Sequence, residues 1–159
     1  MYDPARVTVK HRPGSTARAP QFDQKFLIDL DTDERREQVE WSKPPLEVDV
    51  TCDGKTIHLI GVHAKSKAPH GANSDDDAMR ISIANRRKQL AQCIWLRHRV
   101  EERMAAGDSI VVLGDFNDGP GLDEYEKLFG RSGVEIVMGE DSGPCLYDPH
   151  AMAALNNRF

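Results

Sequence analysis

The sequence predicts an α/β domain, and three observations predict it. Residues 45–52 (PLEVDVTC) and 55–63 (KTIHLIGVH) are two strand-like runs joined by Asp53-Gly54, a hairpin turn signal. A long stretch after Ser74 carries apolar residues at helical spacing. Residues 109–115 (SIVVLGD) are nearly all apolar up to an acid, as expected of a strand covered on both faces. At 159 residues the chain fits one domain with a real core.

Taken in order, the first forty residues are loosely patterned. Val7 and Val9 alternate with polar neighbours, and HRPGSTARAPQ is a loop by its Pro, Gly and Ser content. KFLIDLD (25–31) fits a short strand, and TDERREQVE a polar turn or one helical turn. From Pro45 the signal sharpens: Leu46, Val48 and Val50 alternate with Glu47, Asp49 and Thr51, the period of a half-buried strand. After the loop AKSKAPHGANSDDD, Ser74 is a good N-cap with Asp77 at the third helical position. Leu90, Cys93, Ile94, Val100 and Met104 share one face of this helix. Arg87, Lys88, Arg99, Glu102 and Arg103 form its charged face, and Gly107 ends it. Beyond the apolar strand, GLDEYEKLFG (121–130) reads as a short amphipathic helix and VEIVM (134–138) as a further strand. The tail ends in a helical turn.

Composition narrows the function. Acids outnumber bases 26 to 21 for a net charge of −5, whereas a protein holding duplex nucleic acid by phosphate contacts alone is normally basic. A nuclease remains compatible, because a bound divalent cation adds positive charge. No run approaches the ~18 apolar residues of a membrane span, and MYDPARVTVK has no apolar core of a signal peptide. Cys52, Cys93 and Cys145 are odd in number and far apart, which suits buried or incidental thiols in a reducing, cytoplasmic setting.

Two segments can carry chemistry. In VVLGDFNDGP, Asp115 and Asn117 leave the carboxyl end of a strand two residues apart, where open α/β sheets place ligands. Gly114 removes bulk beside them, which would let a substrate approach the backbone. The same residues are ordinary turn formers. His63 ends the second hairpin strand and is followed by Lys65, Ser66 and Lys67, cationic and hydroxyl donors suited to a phosphate. It is also what a strand-end histidine beside a solvated basic loop would look like. Asp75, Asp76 and Asp77 are explained by the helix dipole and cap. Asp118 and Asp123 are turn or cap residues, His70 lies in an exposed loop, and His58 has no functional reading from its position.

Together the two segments form a pattern. A hairpin strand ending V-H-x-K-S-K, a long helix, and V-V-x-G-D-F-N-D resemble the endonuclease/exonuclease/phosphatase family over residues 2–120. KPPLEVDV looks like the same family's preceding strand, although the family more often has Arg where Lys43 stands, and YDPARV looks like the strand that opens its second quarter.

The resemblance implies a four-layer α/β/β/α sandwich of deoxyribonuclease I type, and a metal-dependent phosphoester hydrolase, nuclease or phosphatase. His63 would stabilise charge on the phosphoryl group. Lys65 and Ser66 would bind its oxygens. Asp115 would activate the attacking water or polarise a histidine, and Asn117 would hold the phosphate or the nucleophile. Asp115 and Asn117 would contribute to a Mg²⁺ or Mn²⁺ site.

The family's metal-binding Asn and its glutamate would lie before Tyr2, and its C-terminal Asp-containing pair after Phe159. The chain is therefore expected to be a single incomplete domain over 1–159. Its rate alone should be low, because such constellations act as a unit. Unpaired strand edges and uncovered faces predict a homodimer or other self-association. The substrate would be nucleic acid or a small phosphorylated molecule, with no membrane involved. The acidic balance favours a small or single-stranded one. A non-catalytic binding or assembly module with the same architecture is the rival reading, and a generic α/β domain whose GDFN is only a turn is the third.

Overall fold

A computed structural model of the chain describes residues 2–28, 30, 36–119, 130–139 and 143–156. It is a mixed α/β structure with a mixed sheet. Four strands, β1 (Val7–His11), β4 (Leu46–Cys52), β5 (Lys55–His63) and β6 (Ile110–Asp115), lie in the order β1-β4-β5-β6. β2 (Phe26–Ile28) and β3 (Glu37–Val39) pair separately as an antiparallel ribbon. The β4–β5 hairpin turns at Asp53 and Gly54, whose φ values of 49° and 74° are those of a tight two-residue turn. β5 then reaches its parallel neighbour β6 through helix α1 (Asp75–Ala105).

The ends of α1 follow from local chemistry. Ser74 Oγ accepts from Asp77 N, three aspartates occupy the first turn, and Gly107 with φ 80° follows the last. Ile60, Val62, Trp95, Leu96 and Val100, all 6 % exposed or less, fill the space between α1 and one face of the sheet. Phe22 and Phe26 pack on Trp95 at ring distances of 5.5 and 5.2 Å, which seats the β2–β3 ribbon against the helix.

The alternation of β4 points the opposite way from its hydropathy. Glu47 is 1 % exposed and faces α1, whereas Leu46 is 56 % exposed. Glu47 can be buried because α1 supplies its partners. Arg99 Nε lies 3.2 Å and Arg103 Nη2 3.4 Å from Oε1, His58 Nε2 lies 3.5 Å away, and Gly14 N donates to Oε2 at 3.1 Å. Arg99 and Arg103 are thus part of the interior and not of a solvated face, since a second layer of chain (residues 12–20) covers that side of the helix. Arg99 Nη2 donates to the carbonyls of Gly14, Ala19 and Pro20 at 2.6–3.1 Å, and Arg103 Nη2 to that of Arg12 at 2.7 Å.

The opposite sheet face is apolar and open among the described residues. Register places Leu46, Val48 and Val50 beside Ile57, Leu59 and Val111, with Leu113 beyond. Ile57, Val111 and Leu113 are 42–48 % exposed. β6 is therefore covered on one face only, contrary to the expectation from its composition.

Two further elements depart from expectation. Residues 37–39 are a strand where a turn was expected, because Val39 and Ile28 are needed to close the core over Trp95. Residues 133–138 form helix α2 (Gly133–Met138) in place of a strand. Ser132 and Glu135 close a capping box: Ser132 Oγ accepts from Glu135 N, and Glu135 accepts from Ser132 N. The expected helix at 121–130 lies almost wholly outside the described residues, as does Asp123. The tail helix is present as α3 (Pro149–Asn156), with Asp148 Oδ1 accepting from His150 N and Ala151 N ahead of a proline at the first turn. No described helix is long and apolar enough to cross a membrane.

Removing Arg99 would leave Glu47 buried without its nearest cation. Arg99→Ala should lower unfolding free energy by about 3–5 kcal/mol, read from urea denaturation.

Asp49 gives a pH prediction. Burial works to raise its pKa, but hydrogen bonds from His58 and Arg12, reinforced by their attraction, hold it below the ordinary 3.8. A carboxyl depressed on folding stabilises fully above its unfolded value and loses that contribution as pH falls through the lower folded one. Asp49→Asn should therefore weaken the acid-side fall in melting temperature between about pH 4 and pH 2.

Candidate functional site

The parallel pairing of β5 with β6 sets His63 directly opposite Asp115. Ladder contacts extend past both. Ala64 N donates to Asp115 O at 2.8 Å, and Asn117 Nδ2 donates to Ala64 O at 2.9 Å. Both strands point their carboxyl ends the same way, so His63, Asp115 and Asn117 converge at one end of the sheet. His63 and Asp115 are exposed and belong to the open face, in line with Gly61 and Leu113.

The loop that carries Asp115 is tightly specified. Asp115 Oδ1 accepts from Asn117 N at 2.8 Å, and Asn117 adopts φ 50°, the left-handed conformation that Asn tolerates better than most residues. Gly114 has φ 135°, and a Cβ there would sit 2.0 Å from Val62 O. Its role is to fit β6 against β5, so the space it leaves is filled by the neighbouring strand and not offered to a substrate. Gln89 Nε2 donates to the carbonyls of Phe116 at 2.8 Å and Asn117 at 2.9 Å from beneath.

On the His63 side, Ser42, Lys43, His63, Lys65, Ser66 and Gln92 line a cleft of about 140 Å³. The expected binding residues Lys65 and Ser66 are thus beside His63. Ser66 Oγ accepts from Ala68 N at 3.2 Å. Lys67 is directed elsewhere: its Nζ pairs with Asp118 Oδ1 at 3.2 Å. Lys43 Nζ stands 3.2 Å from His63 Nδ1.

Asp118 is neither a ligand nor a simple turn residue. Its side chain is 1 % exposed, and it accepts from Arg86 Nη1 at 2.8 Å, Gly133 N at 2.5 Å and Gly119 N at 3.0 Å, besides pairing with Lys67. It locks the Asn117 loop to α1, to α2 and to the segment after His63. The nearby Cys93 is fully buried, and burial, aided by the Asp118 charge against the opposing Arg86, pushes its thiol up to about 12. That thiol is an inert packing group. Cys145 is exposed and Cys52 half-buried. Asp77 accepts from Arg80 Nη2 at 2.6 Å and from Asn73 N, the cap reading of the acidic triplet. His58 Nδ1 sits 2.8 Å from Asp49 Oδ1, buried between sheet and helix.

Among the described residues, no three His, Cys, Asp or Glu side chains converge as a metal site would need. The available donors are nonetheless of the kind that Mg²⁺ and Mn²⁺ prefer. Asp115 offers one oxygen outside its bond to Asn117, and the Asn117 amide, with its nitrogen committed to Ala64, leaves its oxygen as the acceptor. One carboxylate oxygen and one amide oxygen are two donors, fewer than a closed Mg²⁺ or Mn²⁺ site uses.

Gln89 and Gln92 were not identified from sequence, and Lys43 was marked there only as standing where the resembled family more often has Arg. Gln89 and Gln92, three apart on α1, had only their spacing to mark them, and nothing local signals that their amides would meet loop carbonyls.

No protein-family model, no curated protein and no solved structure matches this chain.

Gly114→Ala should cost about 1–3 kcal/mol in backbone strain alone, and more once Val62 is displaced. The expected outcome is a lower melting temperature, together with shifted amide resonances for residues 62–64 and 115–117. A change confined to position 114 would contradict this account.

Proposed function

We propose that the chain is a metal-dependent phosphoester hydrolase of the endonuclease/exonuclease/phosphatase type. The observation that carries the reading is the register His63↔Asp115 at the carboxyl ends of adjacent parallel strands, beside a cleft with Lys43 and Lys65. A histidine and two cations on one side of a carboxylate suit an anionic ester attacked by water. His63 would donate to a phosphoryl oxygen as charge builds there, while Lys65 and Ser66 bind the remaining oxygens. Asp115 would orient the water whose oxygen forms the new bond to phosphorus as the ester P–O bond breaks, its proton passing to the leaving oxygen or to solvent. Asn117, held in its left-handed turn, would keep the phosphate or the nucleophile in place. A Mg²⁺ or Mn²⁺ ion held by Asp115 and Asn117 would supply Lewis acidity when bound.

The finer architecture belongs to the same proposal. A second sheet laid on the open apolar face would complete a four-layer α/β/β/α sandwich. A second copy of the chain would offer comparable cover, which is why self-association accompanies this reading.

Hydrolysis of a generic phosphodiester and a phosphomonoester with Mn²⁺ or Mg²⁺ tests it. Turnover should vanish with EDTA and fall about 10²-fold or more in Asp115→Ala. No turnover of either ester by the folded protein would overturn catalysis by this chain and favour the non-catalytic binding module.

A further inference from the structure

The meeting of Lys43 and His63 bears on where the imidazole proton lies. An ammonium group has donors and no acceptor, so the 3.2 Å contact from Lys43 Nζ needs an unprotonated Nδ1 on His63. The only proton on a neutral imidazole is then on Nε2. No hydrogen bond joins His63 to Asp115 among the described residues. The neighbouring carboxylate, Asp115, accepts from Asn117 N through Oδ1 and makes no side-chain hydrogen bond with Nδ1, where a general-base histidine would need its carboxylate partner.

Lys43 and His63 are both exposed, and the segments that carry them are restrained relative to one another. Lys43 is followed by Pro44 and Pro45, which restrict it to extended backbone, and preceded by Trp41, 6 % exposed in the core. Gln92, 3 % exposed, spans the gap between the two segments. Its Nε2 donates to Glu40 O at 2.9 Å, and its Oε1 accepts from Lys65 N at 2.8 Å. One buried amide thus sets the Lys43 segment at a fixed separation from the strand end that carries His63.

We propose that Lys43 is a positioning residue that holds His63 in the Nε2–H tautomer. His63 then acts as a neutral hydrogen-bond donor to the substrate oxygen, with no part as the base. The role toward a phosphoryl oxygen rests on the phosphoester reading above; the tautomer does not. Water activation is left to Asp115, and the positive charge beside the histidine is supplied by lysine.

Long-range ¹H–¹⁵N spectra of the full chain labelled in histidine, with His63 assigned by its loss in His63→Gln, read the tautomer directly. Above the histidine titration, wild type should show unprotonated Nδ1 and protonated Nε2. Lys43→Arg should keep that pattern, and Lys43→Met should move both nitrogens toward a mixed tautomer without altering the amide spectrum elsewhere. A protonated Nδ1 in wild type, or no change in Lys43→Met, would overturn the assignment. Titration with inorganic phosphate is the second arm. It should perturb His63 Nε2–H, with binding about tenfold weaker in Lys43→Met. If the tautomer behaves as stated while phosphate leaves Nε2–H unmoved, the phosphoester reading and the role toward a phosphoryl oxygen fail, and the positioning of His63 by Lys43 stands.

Discussion

The described structure depends on the side-chain donors of one helix finding the backbone carbonyls of the loops around it. Along α1, Gln89 holds Phe116 and Asn117, and Gln92 holds Glu40. Trp95 Nε1 holds Pro20, Arg97 holds Val137, Met138 and Pro144, Arg99 holds Gly14 and Ala19, and Arg103 holds Arg12. A loop carbonyl buried against a helix must be paired or it destabilises the fold by about 1–3 kcal/mol. Long polar side chains let a single helix meet that requirement for segments far apart in sequence. Position along α1 maps to position around the domain: the turn with Gln89 and Gln92 serves the candidate site, and the last two turns serve the far end.

This arrangement explains why charge lies inside. Glu47, Arg99, Arg103 and His58 occupy the region between sheet and helix that would otherwise be aliphatic. Arg99 Nε is close to Glu47 without directing its N–H at it, so that contact is Coulombic, and the guanidinium directs its outer nitrogens at carbonyls and at Glu102. Phe22 lies 5.5 Å beneath the same guanidinium. Replacing one member strands the others, which makes the cluster specify a single seating of α1 on β4 and β5.

Much of this was legible in the sequence where the signal is local. The Asp53-Gly54 hairpin, the Ser74 cap, the Gly107 stop and the strand leading into Asp115 each depend on a few neighbouring residues. Asp115 and Asn117 could be proposed because the carboxyl ends of strands are where α/β sheets place ligands, and His63 joined them only through the resemblance of the two segments to a known family pattern. What failed was the sidedness. Alternation in Leu46–Cys52 shows that two faces differ and says nothing about which is covered, so a carboxylate with cationic partners on a distant helix took the inner face. The same long-range pairing hid Arg99 and Arg103 among surface residues. At 134–138 the β-branched run outweighed Ser132 and Glu135, whose reciprocal cap is worth more to a six-residue segment than strand propensity. Lys43 was visible only as a substitution within a pattern, because its partner is set by the fold and not by spacing.

His63 and Asp115 share a face with Leu113 and Val111, and that sharing ties the dielectric of the site to whatever covers the sheet. Two unit charges 4 Å apart interact by about 1 kcal/mol in bulk water and about 4 kcal/mol near a protein surface. With the apolar face open to solvent, any anion beside His63 would be screened by mobile water, and the fixed donors around it would act at a fraction of their strength. Covering Val111 and Leu113 would expel that water from the flank of Asp115 without moving a single donor. Any layer that came to hide the hydrophobic face would in this sense also set the electric field around His63, Lys65 and Asp115.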